Sequence, residues 1–377
     1  MVTRITNGKV LVGEAFLEQD LYFEGKTILS IGGNLSYDNT IDADGSYVTA
    51  GFIDLHCHGG GGADFTDGDP EGVRTATLTH LRHGTTTLFP TLLSADLSTL
   101  EKALSAVLKA GEDLPSLGGI HLEGPYFSPN QTGAQNAEAL RNPDPKEYLP
   151  ILNKYPISRW DYAPEMDEDH TFLNSLLSAG VVAAAAHTDA TCDQMEAAAK
   201  RGCKLITHLY SCTSTIRREN GYRIPGVTEA AYLVEDIDAE LIADGSHLPH
   251  SLLRLAYKQK GPDRLALVTD GMRAAGTDLE GPCEIGGVSC IIEHGVAKLP
   301  DRSAFAGSVA TADRLIRTCV AAGISLADSV KMLTVTPARI MGLATKGKLT
   351  PGADADIVIF NENIEMQTVI LQGEKVL

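Results

Sequence analysis

Eight short apolar segments recur through the middle of the chain, and each is followed by a stretch with helical periodicity. The segments lie at residues 47–58, 85–92, 117–125, 159–165, 180–188, 203–210, 239–245 and 264–271. Strands that are apolar throughout, rather than at alternate positions, are typical of a parallel sheet buried on both faces. Eight strand–helix units in succession therefore predict a (β/α)8 TIM-like barrel. A doubly wound sheet is the alternative, but no GxGxxG motif opens a helix after the first strand.

The two ends of the chain have a different sequence pattern, in which short strands of alternating polar and apolar residues are separated by Gly, Pro and Asn turns. These ends are residues 1–50 and 346–377. Because chain termini often lie close together, the two segments can pair into one small β-sandwich domain. The sequence thus predicts an α/β protein of two domains. A small β domain is made from 1–50 plus 346–377, and a catalytic barrel occupies 51–345.

Charge and composition exclude several kinds of partner. The chain has 31 Lys and Arg against 49 Asp and Glu, a formal net charge of −18, whereas binding to nucleic acid or an anionic membrane requires a basic surface. No apolar stretch approaches the ~18 residues of a membrane span, and the start of the sequence lacks the features of a signal peptide. We therefore expect a cytoplasmic protein without nucleic-acid or membrane partners. Seven Cys without a CxxC pair indicate neither a disulfide framework nor a thiolate zinc site.

Histidine and acidic residues stand at the C-terminal ends of the predicted strands. The first strand ends in His56 and His58, the third in Glu123, the fifth in His187, the sixth in His208, the seventh in Asp244 and His247, and the eighth in Asp270. In a β/α barrel this end of the strands carries the active site, so residues distant in sequence converge there. Positions i and i+2 of a strand point the same way, so His56 and His58 can bind one metal together while Cys57 faces outward.

The donor types indicate the kind of metal. Imidazoles and carboxylates without a thiolate suit a borderline divalent ion such as Zn, Fe, Co or Mn. Six candidate ligands are present: His56, His58, Glu123, His187, His208 and Asp270. Because this number exceeds what one tetrahedral ion uses, we expect one or two ions per subunit. A single histidine of this kind is usually a hydrogen-bonded core residue, but four at the strand ends of one barrel favour a metal site.

The motifs HCH, HLEGP, AAHT, THLY, IADGSH and LVTDGM occur in this order. With them the sequence resembles the amidohydrolase superfamily and, within it, the N-acetylglucosamine-6-phosphate deacetylase family, over nearly the whole chain. The resemblance implies two sets of metal ligands: Glu123, His187 and His208 for the family's usual metal, and His56 and His58 for a second site. It also implies that Asp270 acts as general base and then as general acid, and that His247 contacts the bound sugar phosphate.

Two departures from the family pattern concern the substrate. Better-known members have an Asn-Ala-Met loop that helps to hold the phosphate, and in its place this sequence has Ser211, Cys212 and Thr213. Gln135 stands where many relatives have a His that helps to polarise the carbonyl. A Gln can donate a hydrogen bond there but carries no charge, so it stabilises an oxyanion less strongly than an imidazolium does.

Phosphate recognition is expected to rest on Arg218 or Arg223, because the fork of an Arg side chain suits a phosphate. Both residues lie in the segment IRRENGYRIPG, whose length leaves open which of them matches the family's arginine. In the family that arginine is offered by the neighbouring subunit, so the resemblance implies a homodimer.

The expected function is removal of acetate from N-acetylglucosamine 6-phosphate by metal-dependent amide hydrolysis, which yields glucosamine 6-phosphate in amino-sugar catabolism. A metal ion can activate water and polarise the amide carbonyl, and Asp270 can move the proton from water to the departing amine. Other enzyme functions stay open: deacetylation of a galacto epimer or of an unphosphorylated sugar, and hydrolysis of another N-acyl amide. A catalytically silent scaffold is a further alternative, although such barrels usually lose ligands and this chain has all six.

Overall fold

The structure, a computed structural model, describes residues 1–377 and contains the predicted barrel. Its eight parallel strands follow one another around the barrel in sequence order. Their bounds are Phe52–Cys57, Thr85–Leu92, Ile120–Glu123, Ile157–Tyr162, Val182–Ala185, Leu205–Ile206, Asp238–Ile242 and Leu265–Val268. The eighth strand closes on the first, where Asp270 N–H donates a 2.9 Å hydrogen bond to His56 O. The predicted fold class is confirmed. Six of the eight predicted segments contain a whole barrel strand, and the segments 159–165 and 239–245 overlap strands that begin one or two residues earlier.

Ten α-helices accompany the strands. Their bounds are Pro70–Arg82, Leu97–Gly111, Pro145–Lys154, Thr171–Ser178, Cys192–Arg201, Val227–Leu233, His250–Lys260, Ala312–Ala321, Leu326–Lys331 and Val335–Ile340. Asp69 and Asp96 cap the first two helices by accepting hydrogen bonds from backbone N–H groups of the first turn. Apolar helix faces pack on the strands in one core of 62 buried residues. None of the ten helices is both long and apolar enough to cross a lipid bilayer.

The two ends of the chain form a pair of sheets. One has the strands Thr27–Ile31, Leu21–Glu24, Val2–Thr6 and Asn39–Asp42; the other has Glu374–Lys375, Met366–Leu371, Ile357–Phe360, Tyr47–Ala50, Lys9–Val12 and Ala15–Glu18. The C-terminal strand Ile357–Phe360 pairs antiparallel with Tyr47–Ala50. A core of 14 buried residues, separate from that of the barrel, takes side chains from both sheets. The chain ends therefore pair into the predicted β sandwich.

The first predicted segment, residues 47–58, is divided between two sheets. Its first part, Tyr47–Ala50, belongs to the six-stranded sheet, and Phe52–Cys57 belongs to the barrel. Gly51 separates the two parts, and a Cβ atom at this position would lie 2.0 Å from Thr86 Oγ1. The chain thus passes from sandwich to barrel where only glycine leaves enough room.

Residues 281–308 form a sheet that the sequence analysis did not predict. Its four antiparallel strands are Gly281–Ile285, Val288–Glu293, Val296–Lys298 and Phe305–Ser308. It follows the eighth barrel strand, and its apolar side chains cluster with Leu93 and Met272. Two short hairpins were also not predicted: Gly59–Gly60 with Ala63–Asp64, and Arg217–Glu219 with Tyr222–Ile224. Five of these eight strands have only two or three residues, too few for a clear alternation of polar and apolar positions.

Candidate metal centre

The residues predicted as metal ligands converge at one end of the barrel. Their ligand atoms form two groups, and within each group all atoms lie within 4.8 Å of one another. One group is His56, His58 and Glu123, and the other is Glu123, His187 and His208. Glu123 belongs to both, so its carboxylate joins the end of the first barrel strand to the ends of the fifth and sixth.

Glu123 makes the closest contacts in the centre. Its Oε1 lies 2.9 Å from His208 Nε2 and 3.2 Å from His187 Nε2. The same oxygen lies 3.6 Å from His56 Nε2, and Oε2 lies 3.4 Å from His58 Nε2. Burial by itself would raise the pKa of this carboxyl, but the imidazoles of His56, His187 and His208 hold it well below its usual range. The group is therefore an ionised carboxylate, the form that binds a cation.

Asp270 stands at the edge of this centre. Its Oδ1 lies 3.0 Å from His58 Nε2 and 3.5 Å from His56 Nε2. Burial would raise the pKa of Asp270, but the hydrogen bond with His58 and the charge on His56 lower it to about 2. The side chain also lines the cavity at the barrel mouth, so it can contact a metal and a substrate from the same position.

The other hydrogen bonds of the imidazoles leave their Nε2 atoms free to bind a metal. His187 Nδ1 lies 2.8 Å from Gln131 O, and His58 Nδ1 lies 3.3 Å from Thr91 O. A carbonyl oxygen only accepts, so each of these Nδ1 atoms carries a proton, and each Nε2, which faces a carboxylate, is the nitrogen that would give up its proton to bind a metal. The Nε2 atoms of His56 and His58 are 3.1 Å apart, which a cation shared between them would stabilise. The donors therefore fit a divalent metal ion.

Three of these residues have a backbone conformation that side chains rarely allow. The φ angle is +43° at His187, +30° at His208 and +47° at Asp270. A left-handed backbone at a residue other than glycine costs on the order of 1–3 kcal/mol, and such residues cluster at functional sites. The fold therefore accepts strain at the strand ends where these three side chains converge, which supports a functional role for them.

A cavity of about 390 Å³ lies against the centre, within the size range of small-molecule sites. His247 is one of its polar wall residues, and Asp244 orients it, since Asp244 Oδ2 lies 2.8 Å from His247 Nδ1. The antiparallel sheet at 281–308 contributes Ile285 and Phe305 to the same wall. The rings of Phe305 and His247 are 4.6 Å apart between centroids, so an apolar surface and a hydrogen-bonding group stand side by side.

Known proteins with a similar sequence identify the family. The model of the amidohydrolase family matches residues 47–376. The N-acetylglucosamine-6-phosphate deacetylase of Lysinibacillus sphaericus is 32% identical over 339 residues, which cover 88% of this chain and 86% of that protein. The chain belongs to the N-acetylglucosamine-6-phosphate deacetylase family of amidohydrolases. The deacetylase of Bacillus subtilis (strain 168) is also 32% identical, over 87% of this chain and 84% of its own length.

Solved structures of deacetylases share the fold of this amidohydrolase along its whole length. A mutant of the Mycobacterium smegmatis N-acetyl-D-glucosamine-6-phosphate deacetylase, in complex with N-acetyl-D-glucosamine-6-phosphate, has a TM-score of 0.91 and 31% identity, with 100% of this chain and 99% of that chain covered. The Pasteurella multocida deacetylase has a TM-score of 0.93 and 25% identity, with 100% and 99% covered. The prediction of a deacetylase-family hydrolase is confirmed.

The residues predicted to bind the substrate of this amidohydrolase occupy three different places. Four of them line the cavity: Gln135, Ser211, Cys212 and His247. Thr213 is buried behind the loop, where its hydroxyl accepts a 3.1 Å hydrogen bond from Tyr210 N–H. Arg218 and Arg223 face each other across a hairpin, exposed to solvent and outside the cavity of their own chain. Neither arginine lines the cavity within its own chain.

A further cluster of metal-binding residue types in the amidohydrolase is accounted for by its own hydrogen bonds. Asp54, Cys57 and His80 are buried, and their ligand atoms lie within 4.8 Å of one another. Asp54 accepts a 2.5 Å hydrogen bond from Thr269 Oγ1. His80 Nε2 lies 2.9 Å from Gly59 O and 3.2 Å from Cys57 Sγ. Cys57 thus points away from the metal centre, as the alternation of the strand predicts.

The barrel strands of the amidohydrolase also carry a charged network that the sequence patterns did not predict. Arg159, Asp161 and Glu240 are fully buried, and the guanidinium of Arg159 bonds to both carboxylates. Burial would raise the pKa of Glu240, but the charges of Arg159 and His56 lower it to about 2. Part of this network could have been found in the sequence, because Arg159 and Asp161 stand at positions i and i+2 of an otherwise apolar strand. Side chains at such positions point to the same side of the sheet.

Proposed function

We propose that this protein hydrolyses the acetamide of N-acetylglucosamine 6-phosphate, releasing acetate and glucosamine 6-phosphate. The observation that carries the proposal is the position of Asp270, which borders both the histidine and Glu123 donors and the cavity. Full-length similarity to deacetylases supports the substrate, because one of those structures contains N-acetyl-D-glucosamine-6-phosphate. We assign metal binding to six residues: His56, His58, Glu123, His187, His208 and Asp270.

Asp270 performs the proton transfers. A divalent ion bound at this centre would supply Lewis acidity, which lowers the pKa of water and polarises the amide carbonyl. Because the pKa of Asp270 is depressed, its carboxylate is ionised at neutral pH and can accept the proton of the attacking water. It then donates this proton to the amine nitrogen as the tetrahedral intermediate collapses, and the C–N bond breaks. A neutral amine is a far better leaving group than an amide anion.

The cavity wall holds the sugar. Asp244 accepts the Nδ1–H of His247, which leaves Nε2 to accept a hydrogen bond from a sugar hydroxyl. Ser211 and Cys212 lie on the same wall and offer a hydroxyl and a thiol at the place of the family's phosphate loop. Phe305 stands next to His247, and its ring can cover an apolar face of the sugar.

A phosphate dianion needs a cation that this acidic chain does not place in its own cavity. We assign this role to Arg218 or Arg223 of a neighbouring subunit in a homodimer, because both side chains are exposed on a projecting hairpin. A bidentate guanidinium is well suited to phosphate. Thr213 supports the loop that faces the phosphate through its hydrogen bond with Tyr210.

The remaining features of the proposal follow from the fold and the composition. We propose one or two Zn, Fe, Co or Mn ions per subunit, a catalytic domain at 51–345, and a separate β domain at 1–50 plus 346–377. We also propose that the enzyme works in the cytoplasm, where phosphorylated sugars are metabolised, without nucleic-acid or membrane partners. Its net charge of −18 disfavours both kinds of polyanionic surface.

Acetate release from a panel of substrates tests this function. The panel contains phosphorylated and free N-acetylglucosamine, the phosphorylated galacto epimer and N-acetyl amino acids, and the same preparation is analysed for metals. We expect the highest kcat/KM with N-acetylglucosamine 6-phosphate. Equal rates with and without phosphate, or faster hydrolysis of the galacto epimer or of an N-acyl amino acid, would replace this substrate with the corresponding alternative. Absence of both metal and hydrolysis would indicate a silent scaffold.

A further inference from the structure

A buried guanidinium separates two carboxylates next to the metal centre. Arg159 Nε donates a 2.8 Å hydrogen bond to Asp161 Oδ1, and Arg159 Nη2 donates a 3.1 Å hydrogen bond to Glu240 Oε2. All three side chains are 0% exposed. Taking three charges out of water costs free energy. Removing one member of such a network destabilises a protein more than replacing the whole network with apolar residues does, because a buried charge is left without a partner. We therefore expect this network to have a role other than stabilising the fold.

The two carboxylates face different imidazoles. Asp161 Oδ1 lies 2.9 Å from His121 Nε2, and His121 Nδ1 is 2.9 Å from Thr91 Oγ1. Asp161 thus faces an imidazole that is not among the proposed metal ligands. Glu240 Oε2 lies 3.5 Å from His56 Nδ1, while the Nε2 of His56 faces the donors of the centre. Only Glu240 is therefore in a position to act on a proposed metal ligand through its ring.

His56 has no other acceptor for its second ring nitrogen. The Nδ1 atom is buried without a hydrogen bond of normal length, and the carboxylate of Glu240 is the acidic group beside it. A histidine that binds a metal through one nitrogen almost always donates the other N–H to a carboxylate or carbonyl, which fixes the tautomer and the ring orientation. His58 and His187 have backbone carbonyls at Nδ1, whereas His56 has only Glu240.

We propose that Glu240, held in place by Arg159, is a positioning residue that commits His56 to bind a metal through Nε2. The proposal rests on the metal centre of the proposed function. It applies to the two-ion form of that centre, in which the first-strand pair, His56 and His58, binds a second ion in addition to the one at Glu123, His187 and His208. Arg159 keeps Glu240 anionic and turned toward His56, because its guanidinium bonds to both Glu240 oxygens.

Two isosteric substitutions separate this role from a structural one. Glu240→Gln and Asp161→Asn each remove one carboxylate charge from Arg159, but only the first removes it from His56. Protein stripped of metal is dialysed against graded concentrations of free Zn²⁺, and bound zinc is measured by elemental analysis. We expect two ions in the wild type and in Asp161→Asn. In Glu240→Gln we expect one ion with unchanged affinity and a second that binds 10- to 100-fold more weakly.

The outcomes that contradict the proposal are distinct. Unchanged zinc binding in Glu240→Gln, or equal weakening in Asp161→Asn, would show that the network only supports the fold. Weakening of both ions in Glu240→Gln would also overturn it, since Glu240 Oε2 is 3.4 Å from the backbone N–H of His208 as well. A wild-type protein that saturates with one ion would overturn the second ion at His56 and His58, and with it the role of Glu240, while leaving the proposed hydrolase with a one-ion centre intact.

A third variant covers the case in which loss of charge prevents folding. Glu240→Asp keeps the negative charge for Arg159 but withdraws the carboxylate from His56 by one methylene. Thermal unfolding of the metal-free proteins shows whether Glu240→Asp is folded, and its zinc isotherm is compared with that of the wild type. We expect a weakened second ion here as well, and wild-type binding in a folded Glu240→Asp would overturn the proposal.

Discussion

Gln135 donates a 2.7 Å hydrogen bond from Nε2 to Glu123 Oε2. Its own Oε1 accepts a 3.0 Å hydrogen bond from Ser94 N–H, so the amide is held at both ends. The family resemblance assigns this position to polarisation of the substrate carbonyl. In this structure the side chain first of all orients the carboxylate that both ligand groups share, and only its second N–H is left for a substrate.

Replacing Gln135 should therefore weaken metal binding as well as catalysis. In Gln135→Leu, Glu123 loses the donor that fixes its Oε2, and we expect metal affinity to fall 10- to 100-fold, measured by competition with a chromogenic chelator. Gln259→Leu is the control, because Gln259 is exposed on the helix His250–Lys260 and does not line the cavity beside the metal centre. If Gln135→Leu keeps its metal affinity and only kcat falls, the main partner of Gln135 is the substrate carbonyl and not Glu123.

Substitution of Asp270 should separate catalysis from metal binding. Asp270→Asn keeps the shape of the side chain and an oxygen that can face the metal, but it cannot accept a proton from water. We expect kcat to fall by ~10² or more while the metal content, measured on the same sample, stays largely intact. Turnover near the wild-type rate would rule out Asp270 as the general base.

The two hairpin arginines should affect only phosphorylated substrates. If Arg218 or Arg223 binds the phosphate, its replacement by Gln raises KM for N-acetylglucosamine 6-phosphate, by roughly 10-fold for a lost charge-assisted contact of 1.4 kcal/mol or more. KM for free N-acetylglucosamine serves as the control and should not change. An equal rise of KM for both substrates would point to a disturbed fold. An unchanged KM in both variants would show that the hairpin does not contact the substrate.

Asp313 should set part of the acid stability of the barrel. It lies 3.2 Å from His83 Nδ1 and 2.9 Å from Arg317 Nη2. Burial would raise the pKa of Asp313, but the hydrogen bond from His83 lowers it from 3.8 to about 2. A carboxyl with a depressed pKa in the folded state adds stability above its unfolded pKa, and this stability is lost as the pH falls from about 4 to about 2.

The measurement is the free energy of unfolding as a function of pH. We expect Asp313→Asn to lower it by about 2 kcal/mol at pH 7, with a difference from the wild type that shrinks below pH 4. The exposed Asp278 provides a control, Asp278→Asn, that should change stability by less than about 0.5 kcal/mol. A difference between Asp313→Asn and wild type that is independent of pH would contradict the electrostatic explanation.

The barrel and its strand-end ligands could be predicted because they depend on local patterns. Each apolar run has the length of a buried strand. In the first run, the alternation of side chains places His56 and His58 on one face and Cys57 on the other. The sheet at 281–308 could not be predicted in this way. Its strands have three to six residues, and their apolar side chains pack against Leu93, which lies far from the sheet in sequence.

The sequence by itself determined the fold class, the pairing of the two chain ends and the set of residue types that reach the barrel mouth. Tertiary structure alone decided which atoms of those residues meet. It placed Glu123 between two ligand groups, tied Gln135 to Glu123 and put Glu240 beside His56. The physical reason is that periodicity fixes only the face on which a side chain lies. Distances between strand ends depend on how the closed barrel packs, and on loops whose conformation no local pattern encodes.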